Sequence, residues 1–360
     1  MRFERLGFPR ADLAVLPTPL ESLPRFSEAM GKGVLVSVKR DDATGLGMGG
    51  NKARKLEFLV AEALSLGRYT LITCGGPQSN HARMTAAAAR KCGLDPVLVL
   101  DGDDPGCREG NLLLDELLGA EIVFSGDREA ESMMPEVARE LEKRGKKPYI
   151  IPLGGSNALG SLGYVSCVEE LTQQAAEDGV SPEALYVAAG SCGTLAGLVL
   201  GKVLFGAPFK VIGVAVSSTA SAKVDRTVQL VMEAADLIRS RMANEADGAP
   251  DLSEEDRAKL DRLFEVTPET VRELVEVIGD QVGEGYGIPT PECLEAISLM
   301  AKSEGLLMDP VYTGKALAGL VADIRRGRWK AGQNVVFLHT GGVPADFAYK
   351  DVLVGRRNAE

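Results

Sequence analysis

A lysine follows directly on a glycine-rich turn in Gly49-Gly50-Asn51-Lys52, and the residues after it, Ala53-Arg54-Lys55, read as the opening of a helix. An amine at that point meets outward-facing N–H groups and the positive end of the helix, which disfavour a further positive charge. Its pKa falls, and the neutral amine is the form that condenses with a carbonyl to give a Schiff base. A second polar group, Gln78-Ser79-Asn80-His81, follows Gly75-Gly76-Pro77 at the matching junction of the next strand–helix unit. Short polar side chains at a helix start can grip a carboxylate, although Ser79 or Asn80 could equally serve as a plain N-cap. A lysine nucleophile beside such a cluster points to pyridoxal phosphate chemistry.

Other segments could share that site. Gly190-Ser191-Cys192-Gly193-Thr194 lies between an apolar strand and an apolar helix. Its glycines let backbone approach a phosphate, and Ser191 and Thr194 add donors. Tyr286 and Tyr312-Thr313 sit in loops rich in Gly and Pro, and His339-Thr340-Gly341-Gly342 ends the last strand-like run. His81 and His339 are the only histidines, and a buried, satisfied ring is the default reading of each. Gly45-Leu46-Gly47-Met48-Gly49-Gly50 formally matches a dinucleotide fingerprint, which raises a nucleotide-dependent oxidoreductase as a rival. The place for its ribose-binding carboxylate falls at Thr73-Cys74-Gly75, which has none. A phosphate-binding Walker loop also fails, because Asn51 separates glycine from lysine and Ala53 stands where Ser or Thr is required.

These segments need strands and helices to position them. Strand-like runs at 34–38, 70–73, 97–100, 121–124, 149–152, 184–188, 211–216 and 335–339 alternate with helix-like stretches, one of them over 52–66. The later runs are apolar throughout, as in buried parallel strands. The pattern predicts an α/β fold of open, mostly parallel sheets with helices on both faces, and ligands at the carboxyl ends of the strands. The glycine-rich junctions all fall at such ends. Residues 221–281 are charged and helix-like, broken by a polar stretch at 243–256, and read as a surface helical excursion.

The 360-residue chain is long enough for a sizeable core and two domains. Its net charge of −11 argues against a nucleic-acid or anionic-membrane surface. Six scattered cysteines, with no C-x-x-C and no histidine cluster, predict reduced thiols rather than a disulfide framework or a metal site. With no apolar leader after Met1 and no membrane-length apolar run, the expected location is cytoplasmic.

Read together, the motifs resemble the D-cysteine desulfhydrase and 1-aminocyclopropane-1-carboxylate (ACC) deaminase family of pyridoxal-phosphate enzymes, which share the tryptophan synthase β-subunit (type II) fold. The resemblance runs from Leu16-Pro17-Thr18-Pro19-Leu20 and Val38-Lys39-Arg40-Asp41-Asp42 to His339-Thr340-Gly341-Gly342, nearly the whole chain. It implies a large domain of residues 1–50 and 166–360 with a small domain of 51–165 inserted, assembled as a homodimer. It implies that Lys52 carries pyridoxal 5'-phosphate, that Asn80 contacts the ring hydroxyl, and that Gly190, Ser191, Cys192, Gly193 and Thr194 cup the phosphate. Thr313 and Thr340 would complete the cofactor contacts. Ser79, with Gln78 and His81 nearby, would receive a substrate carboxylate, and Tyr286 and Tyr312 would face the substrate from the other side. Two residues depart from the pattern. Thr313 stands where the deaminases carry a glutamate, and Cys192 where a glycine is common in the desulfhydrases. A hydroxyl in place of the glutamate weakens the electron sink and shifts the expectation from cyclopropane opening to α,β-elimination. The expected activity is therefore release of pyruvate, hydrogen sulfide and ammonia from D-cysteine, with L-cysteate sulfo-lyase and ACC deaminase as alternatives.

Overall fold

Strands and helices alternate along the computed structural model, which describes residues 3–6, 8–244 and 253–355. In chain order the strands are β1 (Leu20–Ser22), β2 (Leu35–Lys39), β3 (Thr70–Gly75), β4 (Asp95–Leu100), β5 (Glu121–Phe124), β6 (Pro148–Ile150), β7 (Pro182–Ala189), β8 (Lys210–Ala215), β9 (Glu276–Ile278) and β10 (Asn334–Leu338). They form a six-stranded sheet of order β1-β2-β10-β7-β8-β9 and a four-stranded sheet of order β5-β4-β3-β6. All pairings are parallel except β1 with β2. The predicted α/β alternation is therefore realised, and the smaller sheet draws every strand from residues 70–150.

Apolar packing explains why β7, β8 and β10 read as continuous hydrophobic runs: helices cover both faces of their sheet. On one face Leu185, Val211 and Val336 join a cluster with Leu56, Leu59, Leu162, Val165, Leu195 and Leu198. On the other, Tyr186, Ile212 and Phe337 pack with Leu317, Leu320 and Trp329. The reading of 221–281 as a surface excursion is corrected here. Helix Ala220–Asn244 buries Leu230, Val231, Ala234, Ala235 and Ile238 in the first cluster, at the spacing of one helical face, and β9 from the same stretch extends the sheet. Of the polar stretch at 243–256, residues 245–252 lie outside the described residues.

Helix Lys52–Ser65 carries the candidate lysine as its first residue, and a buried ion cluster pins that helix to the end of β2. Arg54 Nε donates to Asp41 Oδ2 at 2.8 Å, and its Nη2 donates to Asp41 Oδ1 at 2.9 Å and Glu170 Oε1 at 2.8 Å. Lys39 Nζ donates to the same Glu170 oxygen, and the Tyr164 hydroxyl to Asp41 Oδ2, both at 2.5 Å. No helix among the described residues is long and apolar enough to cross a membrane.

Candidate active site

A cavity of about 280 Å³ opens where the carboxyl ends of the two sheets face each other. Gly75 and Gly76 at the end of β3 and Asp101 after β4 form one wall; Ala188 and Gly190 at β7, Ser217 after β8 and Thr340 after β10 form the other. Four helices begin at the cavity, bringing Lys52, Ser79-Asn80, Cys192-Thr194 and Tyr312 to its edge. The first three helix starts present N–H groups and positive potential, whereas at the fourth Asp309 accepts the N–H groups of Val311, Tyr312 and Thr313. Asp101 is the one carboxylate on the wall. The cavity is therefore built for an anion.

The amine of Lys52 lies 3.2 Å from Asn51 Oδ1. Desolvation lowers its pKa to about 8 against the opposing pull of Asp309, the direction expected from its place in the sequence. Asn51 in turn donates to Thr194 Oγ1 at 3.0 Å, tying the lysine turn to the glycine loop. On the next turn of the helix Lys55 donates to Gly154 O (2.7 Å) and Ser156 Oγ (2.8 Å), and Ser156 Oγ lies 2.7 Å from Ser191 Oγ and accepts the Gly193 N–H at 3.2 Å. Burial, and then the neighbouring Lys52, push the Lys55 amine well below its ordinary value. A Cβ on Gly193 would stand 2.6 Å from both Lys55 Nζ and Ser156 Oγ, so only glycine fits there. Lys223 Nζ donates to Gly190 O at 2.5 Å and Ser217 Oγ at 2.9 Å, and Arg226 donates to Ser156 O at 3.2 Å.

Across the cavity, Ser79 caps its helix by accepting the Ala82 N–H at 3.2 Å, which leaves its own hydroxyl hydrogen to donate. His81 Nε2 meets Thr73 Oγ1 at 2.8 Å while Nδ1 is buried with no partner. Burial, with Lys52 and Lys55 close by, keeps the ring neutral. The Tyr286 and Tyr312 hydroxyls lie 2.6 Å apart. Desolvation raises the Tyr286 pKa to about 12 and holds that of Tyr312 well above its ordinary value, so both stay protonated at neutral pH. Cys192 adopts a left-handed conformation at φ 68°, and burial keeps its thiol protonated.

The structure thus brings Lys52, Ser79, Asn80, His81, Gly190, Ser191, Cys192, Thr194, Tyr286, Tyr312 and Thr340 to one cavity. Gly193 does not line the cavity, and its N–H goes to Ser156 Oγ. Two expected site residues point elsewhere. The Gln78 amide donates to Glu109 O at 3.0 Å and accepts the Asn111 N–H at 2.9 Å, and it lines a neighbouring cavity instead. The Thr313 hydroxyl donates to Asp309 Oδ1 at 2.6 Å and accepts the Asp309 N–H at 2.8 Å, because it closes the turn that starts its helix. Sequence reasoning missed Asn51, Lys55, Ser156, Ser217 and Lys223. A repeat of lysine at one-turn spacing, Lys52 and Lys55, was the available signal for one of them.

Pyridoxal phosphate fits these residues. Its aldehyde requires an amine that can shed its proton, and its phosphate requires N–H groups and a cation with no carboxylate against them; Lys52 and the loop of Gly190–Thr194 with Lys223 meet both demands. Comparison with known proteins agrees. The family model described as pyridoxal-phosphate dependent enzyme matches residues 11–341. A crystal structure of an ACC deaminase homologue superposes with a TM-score of 0.80 at 37% identity, covering 98% of each chain. The processed form of threonine deaminase isoform 2 from Solanum lycopersicum (TM-score 0.63, 18% identity, 98% of this chain and 86% of that one) shares the fold. So does an L-serine ammonia-lyase from the fungus Rhizomucor miehei (TM-score 0.61, 19% identity, 96% and 99%). That fold is the type II architecture which the sequence motifs imply, and the chain belongs to the family of pyridoxal-phosphate dependent enzymes.

Proposed function

We propose that the protein is a lyase that removes a β-substituent from a small amino acid, D-cysteine first among candidates. The observation that carries the proposal is the pair of protonated tyrosines, Tyr286 and Tyr312, hydrogen-bonded at 2.6 Å on the wall of the cavity that holds the Lys52 amine. Lys52 would hold the cofactor through its amine, and the same amine would take the proton from the substrate α-carbon. Bound pyridoxal phosphate supplies the sink for the electron pair left at that carbon. Ser79 and the N–H groups behind it receive the substrate carboxylate. The tyrosine pair donates toward the departing thiolate. Hydrolysis of the remaining enamine gives pyruvate and ammonia.

Residues around the cavity favour a small leaving group. Arg54 is engaged by Asp41 and Glu170, and Arg83 by the carbonyls of Gly47 and Gly49, so neither is free to hold the sulfonate of L-cysteate. The likeness to an ACC deaminase homologue makes cyclopropane opening the second reading. Against it stands Thr313, a hydroxyl bound to Asp309 where those deaminases carry a glutamate.

The test is pyruvate release from D-cysteine by the protein loaded with pyridoxal phosphate, with Lys52→Ala as blank. Release that disappears in the variant supports the proposal. Release of 2-oxobutyrate from ACC without pyruvate from D-cysteine overturns it in favour of the deaminase. Turnover retained by Lys52→Ala defeats the mechanism.

A further inference from the structure

Asn80 offers the cavity either an amide oxygen or an amide nitrogen, and the two would bind opposite partners. Backbone groups decide which. Asn111, the second residue of helix Gly110–Leu117, is fully buried. Its side chain lies 2.9 Å from the Gln78 carbonyl, which can only accept, so Asn111 presents nitrogen there. The other hydrogen of that nitrogen goes to Asn80 at 2.9 Å, so Asn80 must present its oxygen to Asn111. The Asn80 nitrogen then faces the cavity, where no acceptor among the described residues takes it.

Gln78 locks the other end of the chain. Its amide oxygen accepts the Asn111 N–H at 2.9 Å and its nitrogen donates to Glu109 O at 3.0 Å. Gly110, at φ 58°, permits the approach: a Cβ there would stand 2.3 Å from Gln78 Oε1 and 2.9 Å from Pro344 O. The Asn111 oxygen is buried without a partner. A side chain that leaves its acceptor unused while both donor hydrogens are engaged is there for those hydrogens.

We infer that Asn111, braced by Gln78, is a positioning residue that fixes Asn80 as a hydrogen-bond donor toward an oxyanion in the cavity, the ring oxygen of pyridoxal phosphate. The inference rests on the cofactor reading of the site. It reassigns Gln78 from substrate contact to brace.

The experiment is a double-mutant cycle on pyridoxal phosphate affinity, read from the absorbance of the bound cofactor without any substrate. Asn111→Leu in the otherwise native protein weakens affinity by about 10-fold and moves the pH at which the bound cofactor's absorbance changes. In the Asn80→Ala background the same substitution changes affinity by less than about 2-fold, because it acts only through Asn80. An equal factor in both backgrounds, or no change in either, overturns the inference. If Asn111→Leu does not fold, Asn111→Asp, of nearly the same shape but without the donor pair, carries the same cycle. Native protein that shows no cofactor band defeats the site reading itself, an outcome distinct from a native band with an additive cycle.

Discussion

Replacing Arg54 with methionine tests whether the buried ion cluster holds the lysine helix in place. Arg54 and Asp41 are both fully buried, and the substitution removes two guanidinium hydrogen bonds from Asp41, leaving it the hydroxyls of Tyr164 and Thr18. Glu170 also loses two, from Nη1 and Nη2, but keeps a charged partner in Lys39. Removing one partner of a buried ion pair costs roughly 3–5 kcal/mol. For a single unfolding transition of 360 residues at about 2.1 cal/mol/K each, the unfolding entropy is about 0.75 kcal/mol per degree. The expected loss in Tm is therefore about 4–7 °C. The pH dependence gives a second check. Burial alone would raise the Asp41 pKa, but the Arg54 guanidinium overrides it and holds the carboxyl below its ordinary value. In the native protein Asp41 thus contributes stability above its unfolded pKa that is lost as pH falls through the folded one. Without Arg54 its pKa rises, so protonation relieves the variant as pH falls. Calorimetry of both proteins at about pH 7.5 and about pH 5.5 should show the gap in Tm narrowing in acid. A gap under about 1 °C at neutral pH, or one that widens in acid, refutes this account of the cluster.

Two further outcomes follow from the site. Capture of pyridoxal phosphate by the cofactor-free protein should speed up with pH through a midpoint near 8, where Lys52 loses its proton; stopped-flow absorbance that is flat in pH, or rises only near the ordinary lysine value, contradicts the buried amine. Tyr286→Phe removes the hydroxyl bonded to Tyr312 and should lower kcat on D-cysteine by about 10²-fold or more. Cofactor absorbance and Tm should stay native, and an unchanged kcat would take the tyrosine pair out of the mechanism.

What the sequence disclosed and what it hid divide along the range of the interactions. Lys52, Ser79-Asn80 and the 190–194 loop were legible because each stands where a glycine turn hands a strand to a helix, a local pattern that fixes which backbone groups are unpaired. Lys223 was not, since it meets the glycine loop only after its distant helix packs, and Ser156, although in a glycine-rich turn of its own, carried no sign that it would reach Ser191. Gln78 misled by proximity: one residue before the helix cap, its side chain runs along the outside toward Glu109 rather than into the cavity. Thr313 was read by analogy, and nothing in the sequence signalled that Asp309, four residues earlier, would accept its hydroxyl hydrogen. The charge density of 221–281 concealed an apolar face, and β9, three residues long, is too short for period-two alternation to register.

The position of β10 has a consequence for the order of events during synthesis. The four-stranded sheet uses only residues 70–150, and it can close while later residues are still being made. The six-stranded sheet cannot. Among the described residues β10 is the last strand in chain order, yet it lies between β2 and β7 and alone bridges one to the other. Until Asn334–Leu338 leaves the ribosome, β2 and β7 each expose an apolar, unpaired edge of the kind that recruits foreign strands. The nascent chain thus passes through a long interval with one sheet able to close and the other split, its two strand edges open to mispairing.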